Sequence, residues 1–234
     1  NATTPVDNGL TVSDGDDAAL VGATVSVTSN YVQGEDVLPF TNMLGISGTF
    51  DDVSGVLTLL GGASLADYQT ALRSVTYNNT SDDPNTLTRT VSFQVSDGAA
   101  LSNVATRDIT VTAVNDAPVN TVPGQQTFAK NQSRVFGAVG LNQLSFDDVD
   151  AQGNDEQITL TSSGGTITLS TLSGLTGSGN GTGSLTYSGS IADLNAAMDG
   201  MTFTPTLNFT GNTSIVLTTD DLGNTGSAAA TRRR

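Results

Sequence analysis

The sequence predicts an all-β protein made of two β-sandwiches in tandem, each with one short crossover helix. Three observations carry that expectation. Apolar residues are only 36 % of the 234, Gly supplies 26, and Ser, Thr and Asn fill much of the rest, a composition suited to short strands and many turns rather than long helices. Short runs alternate apolar and polar residues. One block of sequence occurs twice, in the two halves of the chain.

The repeated block reads GGASLADYQTALRSVTY from Gly61 and GSIADLNAAMDGMTF from Gly189. Ser64 matches Ser190, Asp67 matches Asp193, and Leu72, Val75 and Tyr77 match Met198, Met201 and Phe203. Each block predicts one helix. Ser64 and Ser190 stand at the N-cap, with Asp67 and Asp193 in the capping-box position. Leu65, Tyr68 and Leu72 share one face, as do Ile191, Leu194 and Met198, which makes this helix a core element and a connection.

Strands are expected before the block, at Val56–Leu60 and Ser184–Ser188, and after it, at Arg89–Val95 and Ser214–Thr219. Thr24–Thr28, Asp108–Val114, Gln157–Thr161 and Thr166–Leu169 also alternate. Gly174–Gly183 reads as a Gly-rich hairpin or loop. Strands at this spacing indicate β-sandwiches. Between the halves, Asp108–Val114 runs into Asn115-Asp116-Ala117-Pro118, where proline cannot continue a sheet ladder. The expected repeats are residues 1–116 and residues 117–234.

Only 13 residues precede Asp14, whereas about 30 separate Pro118 from the matching acidic run at Asp147. Repeat 1 is therefore expected to lack its opening strand. Repeat 2 is expected to lack its closing one, since Ser227–Arg232 matches Ser102–Arg107 and then stops. Two explanations stand open: a piece of a longer repetitive chain, or a filament subunit completed by a neighbour's strand.

Net charge is −15, and three of the eight basic residues are Arg232, Arg233 and Arg234. Such a surface repels nucleic acid and anionic membranes and suits divalent cations. With no Cys there is neither disulfide nor thiolate metal site. With no His, the commonest acid–base group and transition-metal ligand is missing. No apolar run is long enough to span a membrane. There is no Trp to line a glycosidase cleft, and no phosphate-binding glycine loop. No enzymatic activity is expected.

Acidic clusters recur in three places: Asn115-Asp116; Asp148-Val149-Asp150, matched by Asp14-Gly15-Asp16; and Asp97-Gly98, matched by Asp220-Asp221. Carboxylates two apart on a loop suit Ca²⁺, a hard cation taking six to eight oxygens, better than Mg²⁺. Their alternative role is to cap turns. Asp51-Asp52, Asp82-Asp83 and Asp155-Glu156 are expected to be solvated turns. Tyr31 and Tyr187 suggest a glycan-binding face or, more simply, sandwich packing. Asn-x-Ser/Thr sites such as Asn78 and Asn131 arise easily in this composition.

The stretches RTVSFQVSDGAALS, ATRDITVTAVNDAP and SFDDVDAQGND resemble, in order and spacing, the Asp-Gly turn, inter-domain linker and Asp-x-Asp loop of cadherin repeats, which are Ig-like sandwiches. The helix and the Thr/Gly-rich texture are similar to the bacterial cadherin-like repeats of large secreted surface proteins and adhesins. The resemblance implies a non-catalytic extracellular spacer whose partners are neighbouring repeats of the same or an identical chain, or cell-surface glycans or proteins. It implies calcium at the joint, held by Asn115, Asp116, Asp148 and Asp150 with Asp220 or Asp221, and a half-site at Asp14, Asp16 and Asp97. Ala113 replaces the linker's leading acid and one residue is missing after Asp116, so at most one ion per joint is implied. A calcium-dependent glycan-binding module is a further alternative.

Overall fold

A computed structural model describes residues 3–223 and 231–233. The chain forms two compact units, Asn1–Ala113 and Val114–Arg234. Strands dominate both, with only two α-helices among the described residues. The protein is all-β.

Unit 1 contains β1 (Thr4–Pro5), β2 (Ala19–Ser29), β3 (Asp36–Val37), β4 (Ser47–Asp51), β5 (Val56–Ser64), α1 (Leu65–Ser74), β6 (Thr76–Asn79), β7 (Arg89–Ser96) and β8 (Ala105–Ile109). One sheet has the order β4-β5-β2-β7-β8 and the other β1-β6-β3. Val25, Leu57, Leu59 and Val91 are all within 1 % of complete burial, each at an apolar position of its alternating strand. Tyr68 and Leu72 of α1 complete the same core.

Unit 2 contains β9 (Val119–Thr121), β10 (Arg134–Phe136), β11 (Ser145–Asp147), β12 (Glu156–Ser162), β13 (Gly165–Thr168), β14 (Thr176–Ser178), β15 (Ser184–Gly189), α2 (Ile191–Met198), β16 (Met201–Pro205), β17 (Ile215–Asp220) and β18 (Thr231–Arg233). Its sheets are β14-β15-β12-β17-β18, β10-β16-β13 and the pair β11-β9. The order of the larger sheet repeats that of unit 1 strand for strand. Ile158, Leu160, Leu185 and Leu217 fill its core, with Leu194 and Met198 from α2.

Both helices start where the sequence places them. The Ser64 hydroxyl accepts from the Asp67 N–H, and the Asp67 carboxylate accepts from the Ser64 N–H, a complete capping box. Ser190 accepts from the Asp193 N–H in the same way. Tyr31 packs against the core of unit 1 and Tyr187 lies in the core of unit 2.

Two expectations need correction, and the Gly-rich hairpin holds. The strand predicted over Asp108–Val114 is instead Ala105–Ile109. Ile109 lies opposite Arg89, the first residue of β7, so no partner strand remains beyond it. Gly174–Gly183, read as a hairpin or loop, is a hairpin: its first arm is the edge strand β14, whose Gly177 packs so closely on β15 that a Cβ would come within 2.1 Å of the Thr186 carbonyl oxygen. Arg232 does pair as an edge strand, but opposite Thr219, whereas Arg107 lies opposite Val91.

Equivalent positions follow from pairing registers. Val25 pairs with Leu57 and Phe93; Leu160 pairs with Leu185 and Leu217. Beyond the β-bulge between Leu20 and Gly22, Leu20, opposite Ala63, corresponds to Glu156, opposite Gly189; each partner directly precedes the helix N-cap. Val91 corresponds to Ile215 and Arg89 to Thr213. Tyr77, paired with Thr4, corresponds to Phe203, paired with Arg134.

Candidate metal centre

The acidic residues of unit 2 converge because of strand pairing. β12 and β17 run antiparallel with Gln157 opposite Asp220, which sets Glu156 beside Asp221. β11 ends at Asp147 and delivers Asp148 and Asp150 to the same end. Glu156 shares the inward parity of Ile158 and Leu160, so its side chain points into the unit. Asp148, Asp150, Glu156 and Asp221 are 8 %, 2 %, 0 % and 2 % exposed. Carboxylates are almost never buried to this degree unless they are paired.

Part of the group is anchored locally. Asn115 Nδ2 donates to Asp221 Oδ2 at 2.5 Å, and the Asp116 N–H donates to Asp150 Oδ2 at 3.1 Å. The Gly223 N–H donates to Asp221 Oδ1 at 2.8 Å. Asp148 Oδ1 accepts a long bond, 3.4 Å, from the Asp150 N–H. Among the described residues, both oxygens of Glu156, and Oδ2 of Asp148, are buried with no N–H or hydroxyl donor in reach; their polar neighbours are carboxyls. Among the described residues, no Lys or Arg forms an ion pair with either residue; the salt bridges there, Asp36–Arg89 and Asp7–Arg107, lie in unit 1.

Burial, and then the neighbouring carboxylates of Asp148, Asp221 and Asp150, push the Glu156 carboxyl up to about 8. Burial, followed by the adjacent Asp150 carboxyl, lifts Asp148 to about 6. Two states relieve this repulsion: the carboxyls hold protons, or a cation sits among them. The donors are all oxygens, which suits a hard cation such as Ca²⁺ rather than a transition metal.

The structure sorts the predicted ligands into two sets. Asn115, Asp116, Asp148, Asp150 and Asp221 come together in unit 2. Asp220 instead accepts from the Leu222 N–H and closes a turn. In unit 1, the Asp14 carboxylate accepts from the N–H groups of Asp16 and Asp17, which lower its pKa, while Asp14 raises that of Asp16. Asp97 accepts from the N–H groups of Ala100 and Ala99, which lower its pKa. These are turn-capping bonds. Among the described residues, Asp14, Asp16 and Asp17 form the one set of three carboxylates whose oxygens all lie within 4.8 Å of one another. That set lies largely at the surface, where water satisfies it. Asp148, Asp150, Glu156 and Asp221 do not form so tight a set; Asp150 and Asp221 accept from N–H donors, and Glu156 and Oδ2 of Asp148 are the buried groups without one.

Glu156 is the residue that the sequence reading misplaced, by treating Asp155-Glu156 as a solvated turn. Asp155 is exposed, but Glu156 is fully buried. The signal was its spacing: in EQITL, Glu156 sits two and four residues before Ile158 and Leu160, and therefore on the core face.

Among the described residues, no helix is long and apolar enough to cross a membrane. No family model matches the chain. A solved structure containing manganese lipoxygenase of Gaeumannomyces graminis and part of zonadhesin of Komagataella pastoris aligns with 95 % of this chain and 84 % of its own, at 13 % identity and a TM-score of 0.26, too weak a likeness to carry an argument. Halomucin of Haloquadratum walsbyi is 40 % identical over 82 residues, a match that spans 33 % of this chain and 1 % of halomucin.

Proposed function

We propose that this chain is a pair of non-catalytic structural repeats from a large extracellular or cell-surface protein, each unit a cadherin-like sandwich, and that unit 2 binds calcium. The partial likeness to a protein named as a mucin supports the surface setting. The repeated sheet order supports the tandem design. The calcium reading rests on one observation: the Glu156 carboxyl is fully buried against Asp148 with no donor to either of its oxygens.

The ligands would be Asp148, Asp150, Glu156 and Asp221, with Asn115 and Asp116 at their edge. Asn115 and Asp116 lie in unit 2, which opens at Val114, so all six residues belong to one unit. Neighbouring repeats are the expected partners.

Calorimetric titration and thermal melts with calcium and with chelator test this reading. Calcium should raise the melting temperature, and the gain should grow with free ion concentration as binding to the folded state requires. Glu156→Gln should lose most of that gain, while Asp97→Asn should keep it. A melting temperature indifferent to chelator would sink the calcium part.

A further inference from the structure

Asn-x-Ser/Thr sites arise easily in this composition, and the fold sorts them. Transfer of a sugar to such a site needs an accessible amide and an accessible hydroxyl two residues on. Asn79 is sealed: it is 6 % exposed, and its Nδ2 donates to the buried Asp36 carboxylate at 2.8 Å. Asn78, before it on β6, is half-buried with its Oδ1 enclosed. Asn180 is half-buried too, and its Oδ1 accepts from the Leu169 N–H at 2.8 Å. Asn131, Asn208 and Asn212 are exposed.

These three differ in how free the whole site is. Asn131 Oδ1 accepts from the Asn208 N–H at 2.7 Å, and the Ser133 hydroxyl lies 3.1 Å from that of Thr204. The Asn212 site runs into the sheet. Its hydroxyl residue, Ser214, stands where unit 1 has Thr90, a ladder position that pairs with Asp108 and bonds its carboxylate at 2.8 Å. Asn208-Phe209-Thr210 lies instead on the connection between β16 and β17. Asn208 sits at a φ of 64°, a left-handed turn position that asparagine tolerates. Asn208 and Thr210 are both exposed, and among the described residues neither side chain forms a hydrogen bond.

This exposure has a counterpart in unit 1. Phe203 holds the Tyr77 place, so counting on along the chain puts Asn208 at the place of Asp82. Asp82 is exposed although the chain of unit 1 runs on past its own edge strand, β8. We propose that Asn208 is an N-glycosylation site, taking a sugar chain from a lipid-phosphate-linked donor. The anomeric carbon of the first sugar bonds to Asn208 Nδ2 as its bond to the donor's phosphate oxygen breaks. The lipid phosphate leaves with the electron pair, and one amide proton passes to solvent. The sugar stands before the start of β17, whereas Asp221 of the acidic site follows the end of that strand. The proposal rests on the extracellular reading, because such donors serve exported chains.

The full chain, secreted from cells that carry an oligosaccharyltransferase, tests the proposal. Digestion with a peptide N-glycosidase in ¹⁸O water marks each sugar-bearing asparagine as ¹⁸O-aspartate for mass spectrometry. Most copies should be marked at position 208 and none at position 79. Thr210→Ala leaves the Asn208 amide in place and should lower its marking at least tenfold, while Thr210→Ser should keep it. Should Thr210→Ala fold poorly, Asn208→Gln should lower the mass of the intact chain by one sugar chain. An unmarked position 208, a sugar at Asn131 or Asn212 in its place, or full marking in Thr210→Ala would each overturn the proposal. Secretion is imposed in this experiment, so such a failure would leave the surface reading standing.

Discussion

Leu20 and Glu156 hold the same place in their two units: the inward strand residue opposite the last residue before the helix N-cap. One is 2 % exposed and the other 0 %. Unit 1 seals this place with a hydrocarbon, and unit 2 puts a carboxylate there with no donor to satisfy it. Glu156→Leu should therefore stabilise unit 2 in chelator, by roughly 1–4 kcal/mol as when buried charged groups give way to apolar ones. It should also remove the response to calcium. Denaturant melts at pH 8 measure both; a destabilised variant that still responds to calcium would refute this reading.

The two units should respond oppositely to pH in chelator. Glu156 keeps its proton in the folded chain up to about pH 8, whereas the unfolded chain releases it near the ordinary glutamate value of 4.5. The folded state then binds more protons, so unit 2 loses stability as pH rises through that window. Asp36 behaves in the reverse sense. Burial alone would raise its pKa, but hydrogen bonds from Tyr77, Asn79, the Val32 N–H and Arg89 outweigh burial and lower it. Its contribution is present above the ordinary aspartate value of 3.8 and is lost as pH falls through the depressed value. Hydrogen exchange, corrected for intrinsic rates, should show β12 and β17 less protected at pH 8 than at pH 5.5, with β7 unchanged. Equal changes in both units would contradict this.

Removing one half of the Asp36–Arg89 pair strands the other. Both side chains are fully buried, and Arg89 Nη1 also donates to the carbonyls of Asn85 and Leu87 at 2.7 Å. Asp36→Ala should cost about 3–5 kcal/mol. By contrast, Arg107 in the Asp7 pair is 54 % exposed, so Arg107→Ala should cost under about 1 kcal/mol, and less in high salt. Chemical denaturation of both variants checks the ranking; a reversed order would show that the buried network is not structural.

Ser64 and Ser190 make the same N-cap bond, at 3.2 and 3.1 Å. Replacing either by Ala should cost about 1 kcal/mol. The two losses should be similar, because the bond that Asp67 returns to the residue 64 N–H survives in alanine. Equal and negligible losses would mean that packing alone fixes these helices.

Much of this architecture was readable in the sequence. Ser64 and Ser190 announced their helices because capping is a local device, settled within four residues. Alternation announced most strands for the same reason. The end of β8 was not readable, because Thr110–Val114 alternates as well as Ala105–Ile109 does, and only the partner's first residue, Arg89, stops the ladder. The acidic site was half legible. Asp148 and Asp150 stood out as a pair, but Glu156 looked like part of a polar loop until β12 was drawn back to include it. That Thr213 stands where unit 1 has Arg89 was not legible either, because the correspondence exists only through two sheet registers.

Asp7 grips Arg107 across 100 residues of chain, and Asn115 grips Asp221 across 106. Each unit is therefore latched by its first and last segments, and neither latch can close until nearly the whole unit has left the ribosome. Such long-range closure makes for slow folding. A nascent unit would wait with its sheet edges uncovered, so that the first unit finishes folding only as the linker to the second emerges.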